Sequence, residues 1–404
     1  MRILLLNLYY PPDTSATAKM AQAIVEALHA QHDVTVLCGR PSYDPSERRP
    51  WRFWQTARSK EQERVTILRV GSTAFPRFRM KQRVLNYLSY TALAVPRALF
   101  VSCDVVLAMT DPPFEGIVGA FLALLKGKPY VYNIQDMYPD MALGGALIPP
   151  GRLARLWERL HRWALRRARC VIVLGEDMRE RIIAKGVNAS RVAIVRSGAA
   201  IAPPGAPAPP LDPEVIAAIR GTFRFVLLHA GNLGFYGAWE TLVAAARLVE
   251  NESIGLVFVG EGAQLETVRA SAAGAKNVRF LPFFSAQKIP SVLAAGDAHV
   301  ITVKRGLEGV VVPSKLFGIL AAGKPLLVVA PPECDAARIT RAHGCGATAD
   351  PGKPDEVAAA VRRLAGDPES LRRMGLAAAA AAHHYDRLEE LRRFVRITEE
   401  AGKG

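Results

Sequence analysis

Phe225-Val226-Leu227-Leu228-His229-Ala230-Gly231-Asn232-Leu233-Gly234 is a short apolar run that ends in a glycine turn, and a helix-length stretch, Tyr236–Val249, follows it. A run this short, bounded by glycine, reads as a buried strand. The unit repeats at once. Gly255–Val259 ends in Val259-Gly260-Glu261-Gly262 and opens the helical Ala263–Ala272. Further strands are expected at Val278–Phe280, Ala298–Ile301 and Pro325–Val329, with helices at Ala286–Ala294, Ser314–Ala322, Asp335–Ala342 and Pro354–Leu364. Helical pattern then runs to about Glu400, through six consecutive alanines, Ala377–Ala382. Apolar strands alternating with helices mean a parallel sheet covered on both faces.

Toward the N-terminus the alternation is already present. Strands are expected at Arg2–Asn7, Val34–Cys38, Val65–Val70, Val105–Met109, Tyr130–Ile134 and Cys170–Leu174, with a first helix at Ala16–Ala30. Between the halves lies Ala202–Pro213, which holds Pro203, Pro204, Pro207, Pro209, Pro210 and Pro213 and reads as a stiff exposed linker. A chain of 404 residues is long enough for two domains. The expected division is an N-terminal domain over residues 1–201, the linker 202–213, a C-terminal domain over 214–380, and a C-terminal helix 381–404 able to pack back on the first domain. The fold class is therefore α/β, with two tandem Rossmann-like, doubly wound domains. Ligands of such domains lie outside the carboxyl ends of the strands, and the two edges are expected to face each other across a cleft.

Composition excludes several classes. The net charge is +15 and it is lopsided: residues 1–200 hold 29 Lys/Arg against 16 Asp/Glu, whereas residues 201–404 hold 23 against 21. A basic half points to a polyanionic partner. The excess gathers in Arg77–Arg83 (Arg77, Arg79, Lys81, Arg83), beside Phe75, Phe78, Tyr87 and Tyr90 and ahead of the apolar Val84–Phe100, and in Arg152–Arg169. In the latter, Leu153, Leu156, Trp157, Leu160 and Ala164 recur at helical spacing among arginines. That stripe faces either a core or a membrane surface. A basic cluster beside apolar and aromatic residues suits an anionic membrane; no nucleic-acid-binding motif accompanies the charge. No apolar stretch reaches the roughly 18 residues of a membrane span, and Ile3–Leu6 lacks the flanks of a signal peptide. The five cysteines are scattered, without a CxxC pair or a Cys/His cluster, so disulfides and structural zinc are not expected.

The turns carry the chemistry. Glycines after a strand let the backbone approach a ligand, and the helix N-terminus that follows attracts anions. Two such turns on adjacent units suggest a phosphate-bearing ligand. Glu308-Gly309-Val310-Val311-Val312-Pro313-Ser314-Lys315 then leads into Leu316-Phe317-Gly318-Ile319-Leu320-Ala321-Ala322-Gly323-Lys324-Pro325. Pro313 and Ser314 read as a helix start with Ser314 as cap. Lys315 in the first turn opposes the helix dipole, a placement that makes sense if an anion lies between it and the free N–H groups.

These turns, Pro313-Ser314-Lys315 with the following Leu-Ala-Ala-Gly-Lys-Pro, the loop Tyr9-Tyr10-Pro11-Pro12, and Gln135-Asp136-Met137-Tyr138-Pro139-Asp140 together resemble glycosyltransferase family 4, of the GT-B fold. Within it, the pattern is similar to the bacterial subgroup that builds exopolysaccharide, O-antigen and colanic-acid units. The resemblance implies a nucleotide-sugar donor, expected to be a UDP-sugar, bound by the C-terminal domain. It also implies an acceptor, lipid-linked on a polyprenyl-phosphate or a saccharide, bound by the N-terminal domain, and transfer with retention of configuration by a hexosyl- or N-acetylhexosaminyltransferase. Donor-binding residues are expected to be Gly231, Asn232, Gly234, Glu261, Gly262, Phe283, Lys304, Glu308, Gly309, Ser314 and Lys315. The chain departs from the pattern twice. Many members carry two glutamates that here fall on Val310 and Gly318, so the usual ribose-binding carboxylate is missing and Glu308 is the candidate substitute. The basic residue that often follows the first glycine turn is also absent, since Gly234 leads into Phe235-Tyr236-Gly237-Ala238-Trp239. Lys315, Lys304, Arg305 and backbone N–H groups are left to meet the phosphates.

Asp136 follows a buried strand at its carboxyl end and is the candidate catalytic residue, orienting a sugar hydroxyl or the acceptor; the alternative is an Asx turn or helix cap. Tyr9, Pro12, Asp13, Thr17 and Asp111 are candidates for acceptor binding, with caps and turns as the structural alternative for Asp13, Thr17 and Asp111. No carboxylate pair of glycosidase type is visible, which suits a transferase whose donor phosphate takes the acceptor proton. No DxD element or ligand-spaced cluster is present, so neither metal nor other cofactor is expected. A peripheral location on the cytoplasmic face of the membrane follows from the basic N-terminal half and the lipid-linked acceptor. The competing readings are a catalytically inactive GT-B scaffold and a GT-B sugar-nucleotide epimerase.

Overall fold

The computed structural model describes residues 1–42, 52–75, 79–203 and 205–403. Arg77 and Phe78 of the basic–aromatic cluster lie outside the described residues. The chain forms two compact units, one made of Met1–Arg196 with Glu389–Gly404 and the other of Ser197–Leu388. The change of unit falls between Arg196 and Ser197, ahead of the proline-rich stretch. The end of that stretch is tied to the second unit: Asp212 caps the helix Pro213–Arg220, and its N–H donates to Ser291 Oγ at 2.8 Å.

The first unit is built on strands β1 (Arg2–Leu6), β2 (Asp33–Gly39), β3 (Thr56–Gln62), β4 (Val65–Val70), β5 (Val105–Ala108), β6 (Tyr130–Asn133), β7 (Cys170–Val173) and β8 (Val192–Ile194), in the order β3-β4-β2-β1-β5-β6-β7-β8. Seven strands are parallel. β1 pairs with β2 from Arg2 against Asp33 and with β5 from Ile3 against Val105, so Ile3–Leu6 lie wholly inside. The expectation of a purely parallel sheet fails at β3, which runs antiparallel to β4. Its sequence, TARSKEQ, is polar and almost fully exposed, so it had no apolar pattern to reveal it; a charged edge strand of this kind resists edge-to-edge pairing. The C-terminal helix Arg387–Gly402 completes this unit. Phe394 and Ala401 are buried with Val25, Leu28 and Val34, and His32 Nε2 stands 2.9 Å from Glu399 Oε1.

Helices Met80–Leu99, Glu115–Lys126 and Arg152–Arg167 pack side by side on the sheet. The arginine-rich helix turns Ala154, His161, Ala164 and Leu165 inward, which leaves Leu153, Leu156 and Leu160 exposed. Of its leucine–tryptophan–alanine stripe only Ala164 is fully buried. The two neighbours behave alike: Val84, Leu85 and Leu88 of one, and Phe121, Leu124 and Leu125 of the other, are exposed. Among the described residues no helix is long and apolar enough to cross a membrane.

The second unit holds β9 (Phe225–Ala230), β10 (Ile254–Val259), β11 (Val278–Leu281), β12 (Ala298–Thr302), β13 (Leu326–Val329) and β14 (Gly346–Ala349), all parallel, in the order β11-β10-β9-β12-β13-β14. The chain moves from β9 outward to β10 on one side and returns to β12 on the other. Loops leaving the two sides diverge there and open a crevice at the carboxyl ends. The first unit repeats this plan about β1, with β2 on one side and β5 on the other.

Candidate active site

In the second unit the turns after β9 and β10 lie back to back. Gly231 N–H donates to Val259 O at 2.9 Å, and Leu233 N–H donates to Glu261 O at 2.8 Å. The contact has no room for side chains: a Cβ on Gly260 would stand 2.0 Å from Gly231 O, and one on Gly262 would stand 2.5 Å from both Asn232 Oδ1 and Leu233 O. Both glycines also have φ near +150° (149° and 151°), a conformation costly for any other residue. Gly234 O accepts from Trp239 Nε1 at 2.7 Å, which fixes the turn on the helix that follows. Glu261 is exposed at the rim.

Lys315 reaches this turn from the helix Lys315–Ala321. A Cβ on Gly231 would lie 3.0 Å from Lys315 Nζ, and Nζ is 3.1 Å from His229 Nε2 at the end of β9. Burial holds the Lys315 ammonium down to about 7. Burial, and then the nearby lysine, keep His229 well below the usual imidazole range. Beside them opens a cavity of about 200 Å³, lined by Gly231, Phe283, Phe284, His299, Lys315 and Gly318 among others. Phe283 is half exposed at its mouth, and a Cβ on Gly318 would meet nothing within 4 Å. The polar tips on this lining are the lysine and His299; the remainder is apolar side chain and backbone.

Other expected donor residues divide. Ser314 precedes the helix but makes no side-chain cap bond, so its capping role is not realised; its backbone is already helical at φ −61° and ψ −21°. Glu308 Oε2 accepts Gly306 N–H at 2.7 Å, and Glu308 does not line the cavity where the missing carboxylate would act. Arg305 is taken up by Asp350 at 2.6 Å. Lys304 is half-buried, with its N–H donating to Tyr236 O, and Gly309 is buried with φ 68°. Neither His229 nor His299 belongs to a ligand-spaced cluster; the sequence signal for His229 is a histidine near the end of an apolar strand that runs into a glycine turn, and His299 has no such signal.

The first unit gathers its candidates at the carboxyl ends of β1, β5 and β6. Thr17 Oγ1 donates to Asp111 Oδ2 at 2.5 Å, and Leu8 N–H donates to Asp111 O at 2.6 Å. Asp13 Oδ1 accepts Ser42 N–H at 2.8 Å. The cap of the first helix is Ser15, whose Oγ accepts Ala18 N–H. Tyr9 lines a small cleft of about 20 Å³ with Ser42, Ser72, Thr73, Arg83, Asn86 and Tyr87, while Pro12 is exposed. Asp136 is half-buried; burial and the Asp111 charge raise its carboxyl to about 7. It is not the cap of the next helix, which starts at Asp140 after Pro139. Among the described residues no group of His, Cys, Asp or Glu is arranged to hold a metal ion.

Residues 15–198 match the family described as Glycosyl transferase 4-like domain, and residues 220–381 match Glycosyl transferases group 1. The chain is a glycosyltransferase. The glycosyltransferase is 28% identical over 351 residues to WcaI of Escherichia coli strain K12, named for colanic acid biosynthesis, covering 82% of this chain and 83% of the relative. It is 29% identical over 255 residues to the glycosyltransferase WbjE of Pseudomonas aeruginosa, covering 62% and 63%. Its fold is GT-B: Anabaena HepE in complex with UDP-glucose superposes with a TM-score of 0.70 at 17% identity over 99% of this chain and 100% of that one. WaaG, a glycosyltransferase involved in lipopolysaccharide biosynthesis, gives 0.67 at 15% identity over 98% and 99%.

Proposed function

We propose that the glycosyltransferase moves a sugar, with retention of configuration, from a UDP-sugar to a lipid-linked or saccharide acceptor in cell-surface polysaccharide assembly. The observation that carries this reading is the Gly231–Gly262 double turn with Lys315 Nζ over it. One cation stands over close-packed backbone that admits no side chain, where a leaving diphosphate would need its charge balanced. The names of WcaI and HepE's bound UDP-glucose support the polysaccharide context and the uridine donor. In this reading the acceptor enters over Asp136, Asp111 and Thr17, and the donor's phosphate oxygen takes the acceptor proton as the new glycosidic bond forms and the sugar–phosphate bond breaks. No metal is required, because Lys315 and the backbone meet the charge. Calorimetric titration of UDP, followed by a panel of nucleotide sugars with turnover measured on each, tests it. Failure of every nucleotide to bind would leave the inactive-scaffold reading, which the open space at Gly318 favours.

The same reading places the protein at an anionic membrane face. The three outer helices of the first unit bear apolar side chains outward, and their carboxylates are few and engaged: Glu115 is buried, and Glu158 is held by Arg162 and Lys185.

A further inference from the structure

We propose that His229 is a positioning residue for Lys315, and that this buried pair takes up one proton from solvent when a diphosphate arrives. The inference rests on the donor reading above and adds the charge state of that site before and after binding. Lys315 Nζ and His229 Nε2 stand 3.1 Å apart, so only one proton fits between them. The imidazole is locked by Trp239 and Phe258, whose ring centroids lie 4.8 and 5.8 Å from its own, and is itself fully buried. It therefore offers Nζ a fixed partner directly above the Gly231 turn.

The surroundings supply no countercharge. From β12, His299 faces the cavity and gives its Nε2 to Leu293 O at 2.9 Å; burial presses it down to about 4. The flanking helix contributes Ile289, Val292 and Leu293, and the loop after β11 contributes Phe283 and Phe284. Beyond His299, Lys324 donates to Ala294 O and Gly296 O, and Asp297 is paired with Arg220. Neither Asp297 nor any other carboxylate lines the cavity. An amine in this setting is half neutral near neutrality, in keeping with its displacement to about 7. A diphosphate at the cradle reverses the balance, because an adjacent anion favours the charged form. The bound amine then holds its proton across the neutral range, and the proton comes from the buffer.

Titration of UDP into the full chain, in two buffers of unlike ionisation enthalpy, reads this directly. At about pH 8 the apparent enthalpy should differ between buffers by the equivalent of about nine-tenths of a proton, and at about pH 7 by about half. Affinity should fall about tenfold per pH unit above 8. His229→Leu, which removes the partner of Nζ, should weaken UDP about fivefold to tenfold, and His229→Gln, which restores a hydrogen-bonding group, should recover most of that loss. Enthalpies that agree between buffers at both pH values would overturn the proton uptake. Parental affinity in a folded His229→Leu protein would overturn the positioning role. If His229→Leu does not fold, a His229→Gln protein that binds with the same pH profile but more than tenfold more weakly also overturns it, since the restored group would not serve. Absence of any binding heat from UDP would instead remove the donor reading itself.

Discussion

Replacing Leu153, Leu156 and Leu160 together by Ser should detach the glycosyltransferase from anionic vesicles without unfolding it. The three side chains are 77%, 51% and 42% exposed. Their exposed portions amount to roughly 1.7 whole leucines, and at about 1.5–3 kcal/mol per leucine removed from water they contribute about 2.5–5 kcal/mol to adsorption. Arg152, Arg155 and Arg159 lie beside them and are exposed. Each basic residue near an anionic leaflet adds about 1 kcal/mol, so this helix alone offers about 3 kcal/mol more. The apolar and the electrostatic parts are thus comparable, and loss of either should lower partitioning by roughly 100-fold. Sedimentation with phosphatidylglycerol-containing and with neutral vesicles, at low and high salt, separates them. The leucine variant should lose most of its binding at every salt concentration. Arg-to-Gln replacement of the three arginines should leave the salt-insensitive remainder. Since these side chains are outside the core, thermal melting should be unchanged. Parental recovery with anionic vesicles for both variants would refute the reasoning, and a concentration-dependent dimer abolished by the leucine replacement would show that a second copy covers the face.

Lys315→Met should weaken UDP by about 10- to 150-fold, the loss of a charge-assisted contact of about 1.5–3 kcal/mol. The same variant should melt higher than the parent at neutral pH. The folded chain holds Lys315 near 7 whereas the unfolded chain holds it near 10.5, so the parent gives up stability as pH falls through that window and methionine does not. Melting curves at about pH 7 and pH 10, with the gap closing at the higher value, check this. Asp136→Asn should cut transfer to the acceptor while leaving UDP affinity intact, read by turnover and calorimetry on one preparation. With its folded value raised to about 7, Asp136 costs the parent stability as pH rises from about 4 to 7, so the Asn variant should match the parent at the acid end and melt above it at about pH 8. Phe394→Ala should destabilise the first unit by about 3–5 kcal/mol, seen as a lower urea midpoint and faster proteolysis. Transfer activity should survive chelator; complete loss that a divalent metal restores would contradict a site balanced by Lys315 and backbone N–H groups.

Elements that bury an unbroken apolar run were readable from the chain alone. β4 falls on the expected residues, and β9, β10 and β13 differ from expectation only at their ends, since a strand covered on both faces is mostly apolar. β3, β8 and β14 were hidden for different reasons: TARSKEQ packs nothing, Val192–Ile194 is an apolar run of only 3 residues, and GATA packs with side chains too small to register. The glycine turns announced themselves because close backbone contact admits no other residue. Facing was harder to read. Periodicity located the helix Arg152–Arg167 but could not tell that Ala154 and Ala164 would face the sheet while the leucines turned away, because that choice depends on how closely the neighbouring helix approaches. In the site, residue type pointed to Lys315. Its partner His229 is 86 positions earlier and was visible only once β9 and the later helix had been brought together.

The return of residues 389–403 to the first unit changes the order in which the molecule can be finished. On the ribosome the second unit, Ser197–Leu388, is continuous and is complete as soon as it has emerged. The first unit begins earlier but stays open along the side where Phe394 and Ala401 will lie. At typical synthesis rates the intervening segment takes about 10–40 s to make. For that interval Val25, Leu28 and their neighbours wait without their cover, a nascent surface suited to chaperones. A premature stop within the last helix would spare the second unit and leave the first unclosed.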